Sequence, residues 1–442
     1  MKRMSQILCF LICSPLLFGQ EGFEFTSDKN KIRIPFKLVN NLIIIPIEVN
    51  GVELNFLLDT GVEETLLFSL DEKEEVKIYD VQKIKLRGMG SEAPIEALKS
   101  SKNTLTLPGL KSENHTIYIV LDQEFNFSSS LGIQVNGIIG YHFFKNNLVE
   151  INFSKRKIYV YREDKARKSD FFSKYQLLDF TLEKAKPYIL TSVLIDTNPF
   201  IAKCLIDTGN SDSVWLFEDK SDAIKVPEKN FDDFLGRGFS GSVHGKRAKI
   251  ASFMIKDFEF KKPITSFPDS VSIKNVSLVQ DRLGSVGGEL LKRFNVIFDY
   301  KNQKIYLKKN HHFNNPFRYN ISGIEVHHVG LQWINEVIPL RTHLVSNSQE
   351  SHYTQKQTSE FKYNFQLKPL YEIVSVRQGS PAEKAGLIKG DVLVSINKKH
   401  TYKLSLQEIN TLLKANAGDY IFIEVKRKDK AISFKFQLQE LL

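Results

Sequence analysis

Two segments of this chain repeat one another: Leu57-Leu58-Asp59-Thr60-Gly61 and Leu205-Ile206-Asp207-Thr208-Gly209. Each follows an apolar run, and each is followed by a hydroxyl six positions past the aspartate, Thr65 or Ser213. More apolar residues come next, Leu66 to Phe68 and Val214 to Leu216. The apolar stretches on either side read as strands, and Asp-Thr-Gly reads as the tight turn between them. One Asp-x-Gly is an ordinary turn. Two copies in matching contexts, 148 residues apart, are not.

The chemistry open to such a pair is specific. Two carboxylates held about 3 Å apart cannot both ionise, so they share one proton across a split pair of pKa values. One then acts as base towards a water while the other holds the proton for a substrate carbonyl. That arrangement hydrolyses an amide with no covalent intermediate, metal or cofactor. The titration belongs to the pair, so the residues alone do not say which aspartate is the acid.

The repeat extends beyond the motifs. Gly137-Ile138-Ile139-Gly140 matches Gly284-Ser285-Val286-Gly287 without a gap, and the closing strands Lys157-Ile158-Tyr159 and Lys304-Ile305-Tyr306 also correspond. Two strand-rich units follow from this, residues 21–165 and 166–310, joined by the charged stretch Arg162 to Lys168. Asp196-Thr197-Asn198 lacks the glycine and reads as a hairpin turn.

Paired "LLDTG" and "LIDTG", each followed by "GIIG" or "GSVG", resemble the retropepsin-like aspartic proteases of bacteria. The resemblance covers roughly Phe23 to Lys309. It implies two facing β-barrel-like lobes, with Asp59 and Asp207 as the catalytic residues. It implies that Thr60 and Thr208 cross-link the lobes, that Gly61 and Gly209 let the turns approach, and that Ile139-Gly140 and Val286-Gly287 brace the loops. A hairpin flap over the substrate is implied too, with Gly88 to Ser91 and Gly238 to Gly245 as candidates. Three positions depart from the family pattern. Val62 and Asn210 stand where Ser, Thr or Ala is usual, a hydroxyl there bonding the carboxylate's outer oxygen, and Ser285 stands where an apolar residue is usual.

Residues 316–442 form a different module. Ser322-Gly323-Ile324 is followed by a polar stretch, Ser346 to Lys362, read as an insertion, and then by "YEIVSVRQGSPAEKAGLIKGDVLVSINKK". The residues read as a strand, a short helix near Pro381, a turn at Lys389-Gly390-Asp391, a strand, an amphipathic helix over Leu406 to Leu413, and two final strands. This resembles a PDZ domain. The family binds an extended peptide as an added strand, with backbone amides capturing its C-terminal carboxylate. By resemblance the amide loop is Ser322-Gly323-Ile324, and the groove lies between the strand beginning at Ile324 and the helix near Leu404 to Leu413.

The start of the chain is a targeting segment. Met1-Lys2-Arg3 supplies positive charge, Ile7 to Phe18 is mostly apolar, and Gly19-Gln20 precedes Glu21. Residues 1–20 therefore read as a secretory signal peptide, with an uncleaved anchor as the alternative. No later apolar run is long enough to span a bilayer, so the mature chain is expected to be exported, periplasmic or extracellular. Two of the three cysteines lie in that segment, and Cys204 alone cannot form an internal disulfide. The net charge of +10 is spread along the chain without a basic stripe interleaved with aromatics, so nucleic acid is not an expected partner. No His-Glu-x-x-His appears, the pairs His311-His312 and His327-His328 read as pointing apart on strands, and no Gly-x-Ser-x-Gly follows a strand.

The expected architecture is mostly β: two aspartic-protease lobes and a C-terminal PDZ domain. The expected function is peptide-bond hydrolysis, with protein or peptide substrates and C-terminal peptides at the PDZ groove. The alternative, favoured by Val62 and Asn210, is a catalytically weak or inactive peptide-binding scaffold that keeps the protease fold.

Overall fold

The computed structural model describes residues 22–68, 75–86, 95–121, 127–163, 170–238, 241–273, 279–339 and 361–442. The expected signal peptide, the first flap candidate at Gly88 to Ser91, and most of the Ser346 to Lys362 stretch lie outside these residues.

The chain is mostly β. In the first half Leu42–Val49 and Val52–Leu58 form a hairpin turned by Asn50-Gly51, with φ of 49° and 95°. Positive φ at both central residues gives the mirror-image turn whose twist suits two paired strands. In the second half Lys186–Ile195 and Asn198–Ile206 pair in the same way, with Asp196 at φ 50° in the turn. Asp-Thr-Asn thus marks the end of the hairpin remote from the second motif.

Each motif strand then meets two partners. Gly137–Ile139 runs parallel to Val52–Leu58 and antiparallel to Thr65–Leu67. Arg282–Val286 repeats this with Asn198–Ile206 and Val214–Leu216.

The halves are joined by one six-stranded sheet, three strands from each. At its centre Leu148–Asn152 pairs with Phe294–Asp299, placing Val149 across from Phe298 and Ile151 across from Val296. One apolar core runs through both halves beneath it, where the rings of Phe144 and Tyr300 stack 5.2 Å apart.

The C-terminal module is built on a long hairpin, Ile324–Pro339 with Phe361–Val376, and a helix, Leu406–Leu413. That helix opens with a capping box, Ser405 and Glu408, and buries Leu406, Ile409 and Leu413. The module does not hang on a free linker. Arg293 Nη1 donates to the Phe313 carbonyl at 3.1 Å, and Phe313 packs on Phe260 and Phe294. Phe231 and Ile264 of the second half belong to the module's own apolar cluster. On the other side the Asn40 amide donates to Gln407 Oε1 at 3.1 Å. The module therefore bridges both halves. No helix among the described residues is long and apolar enough to cross a membrane.

His311 and His312 correct the sequence expectation. They lie in a turn with rings 3.8 Å apart, because the strand before them ends at Lys309.

Candidate active site

The two motif strands deliver their aspartates to the base of one cleft. The Asp59 amide donates to the Ile139 carbonyl at 2.8 Å, and the Asp207 amide to the Val286 carbonyl at 2.9 Å. These bonds continue the parallel pairings and fix where each turn begins. A Cβ on Gly140 would come within 2.2 Å of the Asp59 carbonyl, and one on Gly287 within 2.3 Å of the Asp212 carbonyl. Only glycine admits that approach.

Thr60 and Thr208 tie the two turns together. The Thr60 hydroxyl donates to the Ile206 carbonyl at 2.6 Å and accepts from the Thr208 amide at 3.0 Å. The Thr208 hydroxyl donates to the Leu58 carbonyl at 2.8 Å and accepts from the Thr60 amide at 3.0 Å. Both side chains are buried, so these four bonds are made away from water.

Above this grip the carboxyl groups face one another and share a hydrogen bond. Each also accepts from the glycine of its own motif, Asp59 from Gly61 at 2.6 Å and Asp207 from Gly209 at 3.1 Å. A Cβ on Gly209 would lie 2.1 Å from Asp59 Oδ2, so the pair needs glycine there. Burial, then the negative charge of Asp207, push the Asp59 carboxyl up to about 8. Burial raises Asp207 as well, opposed by the guanidinium of Arg282.

The position after each motif glycine carries no hydroxyl. Val62 packs against an apolar cluster of the first half. Asn210 accepts from the Asp212 amide at 2.9 Å, while its Nδ2 is buried with no hydrogen-bond partner among the described residues.

The cleft has a volume of about 2270 Å³. Sites for small ligands are usually about 300–1,000 Å³, so this space is of the size an extended peptide needs. The hairpin Asn230–Gly238 with Gly241–Lys249, the second flap candidate, lines it through Phe234 to Gly238 and Ser242 to Gly245. Ile324, Glu325 and His327 of the groove strand, and Gln407 and Asn410 of the groove helix, line the same space. The PDZ groove and the aspartates thus open into one cavity.

Charged groups that sequence reasoning passed over organise the second half. Arg247 Nη1 donates to Asp212 Oδ1 at 2.8 Å, and Arg247 Nε to Asp233 Oδ2 at 2.6 Å. Burial opposes ionisation of Asp212, yet the Arg247 guanidinium outweighs it and holds that carboxyl below its ordinary range. Arg282, buried beside Asp207, is the other omission; the polar Ser285 in an apolar strand was its one sequence signal.

The Ser322-Gly323-Ile324 loop is closed on itself. Asn320 Oδ1 accepts from the Ser322 amide at 3.1 Å and the Gly323 amide at 3.2 Å, and Ser322 Oγ accepts from the Ile324 amide at 3.3 Å. Gly323 has φ of 88°, and a Cβ there would meet Ser380 Cβ at 2.2 Å.

Residues 45–143 match a family model described as aspartyl protease, a span that holds Asp59 and Ile139-Gly140 and stops short of Asp207. Residues 372–427 match one described as PDZ domain. No curated protein matches the sequence. Among solved structures the chain is similar to the aspartic proteinase from Irpex lacteus, at 12% identity and TM-score 0.39, over 64% of this chain and 99% of that one. The chain joins an aspartyl-protease region to a C-terminal PDZ domain.

Proposed function

We propose that the chain is an exported endopeptidase of the retropepsin-like type, in which Asp59 and Asp207 activate a water for attack on a peptide bond. The observation that carries this reading is the hydrogen-bonded carboxyl pair, buried and cross-linked by Thr60 and Thr208 at the base of a peptide-sized cleft. One carboxylate takes a proton from the water as its oxygen bonds to the carbonyl carbon. The other carboxyl gives its proton to the carbonyl oxygen, forming a neutral gem-diol. The carboxyl that took the water proton then gives it to the amide nitrogen while the other carboxylate takes a proton back from a gem-diol hydroxyl, so the C–N bond breaks and the pair again holds one proton. A buried pair that shares one proton is poised for both transfers.

The PDZ groove, opening into the same cavity, engages the substrate chain close to the point of cleavage. A C-terminal carboxylate enters the amide loop by displacing the Asn320 side chain. The second reading, a scaffold that binds peptides without cutting them, draws on the missing hydroxyls at Val62 and Asn210.

The test is cleavage of a peptide library by the purified chain, its Asp59→Asn variant and its Asp207→Asn variant, with a transition-state mimic as inhibitor. Hydrolysis blocked by the mimic and lost in both folded variants supports the protease. Tight peptide binding with no hydrolysis from acid to neutral pH supports the scaffold.

A further inference from the structure

The two halves pair their strands alike around the motifs, yet surround their aspartates with different chemistry. Ile44 pairs with Leu57, and Tyr188 with Leu205. Continued by two residues, these registers set Leu42 across from Asp59 and Lys186 across from Asp207. On the other flank Ile138 pairs with Leu57, and Ser285 with Leu205. Three residues earlier stand Val135 in the first half and Arg282 in the second. Leu42, Ile44, Val135 and Ile138 are all buried apolar residues. Their counterparts are Lys186, Tyr188, Arg282 and Ser285.

Arg282 is 5% exposed, and Ser285 is fully buried. Arg282 Nη2 donates to Ser285 Oγ at 2.6 Å, and Nε to the Gly284 carbonyl at 3.2 Å. No carboxylate forms an ion pair with it among the described residues. A buried guanidinium without a counter-charge is costly and contributes little to stability as such. Of its neighbours Tyr188 acts on it most and hydrogen-bonds it, and the carboxylate whose charge acts on it is Asp207, which lines the same cleft as Arg282.

We infer that Arg282, anchored by Ser285, holds Asp207 as the ionised member of the pair, so that Asp59 carries the shared proton. Asp207 is then the base that takes the proton from water, and Asp59 is the acid that gives its proton to the carbonyl oxygen. Arg282 is a positioning residue that acts through Asp207. The other groups facing the pair do not make this choice. Lys186 acts on both carboxyls, Tyr300 lies beside Asp59, and Tyr188 and Cys204 are held protonated by burial. The higher protonation of Asp59, driven by burial and by the charge of Asp207, agrees with the assignment.

The inference rests on the proposed protease reading, and its test must separate the two. The full chain is labelled with ¹³C at the aspartate carboxyls and titrated by NMR as wild type, Asp59→Asn, Asp207→Asn and Arg282→Met. The lower of the pair's two titrations is expected to vanish in Asp207→Asn and to rise by about one pH unit in Arg282→Met. The acidic limb of kcat/KM shifts with it, and Arg282→Lys restores most of the shift. Should Arg282→Met not fold, Arg282→Lys and Ser285→Ala carry the test, each raising that titration by a smaller step. Loss of the lower titration in Asp59→Asn instead, or its constancy in the Arg282 and Ser285 variants, overturns the inference. A chain that hydrolyses nothing while its carboxyls titrate as expected overturns the protease reading and leaves the charge assignment standing.

Discussion

Arg377 of the PDZ domain holds Asp233 of the flap-candidate hairpin, Nε to Oδ1 at 3.1 Å, with its guanidinium 4.2 Å over the ring of Phe231. Asp233 also accepts from Arg247, which reaches Asp212 in the loop that follows the second motif. Four charges in alternating sign thus connect the PDZ domain to the loop that follows the second Asp-Thr-Gly motif. Removing Arg377 leaves Asp233 half-paired in a partly buried site. Arg377→Ala is expected to lower unfolding stability by about 2–4 kcal/mol and to slow hydrolysis of short peptides that never reach the groove. Urea unfolding and a short-peptide assay check this. An unchanged short-peptide rate would mean that the contact holds the module without ordering the flap.

Thr60→Val removes a first-half hydroxyl that both donates to and accepts from the second half. The Ile206 carbonyl and the Thr208 amide are left buried and unpaired. A loss of about 2–3 kcal/mol is expected, with a similar loss for Thr208→Val. The double variant should lose less than the sum, because the two hydroxyls serve one network. A double-mutant cycle in urea measures the coupling.

The raised Asp59 carboxyl makes stability depend on pH in a stated direction. The unfolded carboxyl titrates near 3.9 and the folded one near 8, so across that window the folded chain binds more protons. Its contribution is full below the unfolded value and is lost as pH rises through the folded one. Asp59→Asn should therefore be more stable than wild type at pH 7.5, by at least about 1 kcal/mol, and no more stable at pH 4. Unfolding curves at the two pH values decide it.

His115 works in the opposite sense. Burial, with His142 and Lys145 nearby, takes its pKa down to about 3, and its ring nitrogens bond Thr65 Oγ1 at 2.7 Å and Ser112 Oγ at 2.8 Å. The neutral ring contributes stability above the unfolded value of 6.5, and that contribution is lost as pH falls towards 3. Between pH 7 and pH 4.5, wild type should lose about 2 kcal/mol more than His115→Gln. Unfolding in urea at both pH values, with intact folding of the variant shown at pH 7, checks the difference.

Asn320 occupies the Ser322 and Gly323 amides that the proposed carboxylate capture would use. Asn320→Ala is expected to bind a peptide with a free C-terminus about 5–10-fold more tightly, and the same peptide with an amidated C-terminus no better. Calorimetric titration of both peptides tests it. Equal gains for the two peptides would show that the loop does not read the carboxylate.

Much of this was legible in the residues. The paired motifs, their following hydroxyls and the late glycines are local patterns, and each marks a backbone that must turn or approach closely. The repeat located the strands of the inter-half sheet for the same reason. What stayed hidden are side chains that meet across strands. Ser285 read as a mild departure because its partner Arg282 sits three residues away in a strand, where spacing alone does not predict contact. Arg377 and Asp233 lie 144 residues apart in different domains, and no periodicity links them. Asn320 precedes the amide loop by two residues, yet its side-chain geometry, not its type, decides that it fills the loop.

The central pairing of Leu148–Asn152 with Phe294–Asp299 sets an order in time. A nascent chain that has released Asp59 and its whole surrounding half still lacks the strand that completes the sheet and the threonine that completes the grip. Its single carboxyl is then an ordinary acid, without a neighbour to share a proton. On the proposed protease reading, hydrolytic power arrives only when the second half has been made and has folded onto the first. On that reading a growing chain cuts neither itself nor its neighbours until both halves have been made.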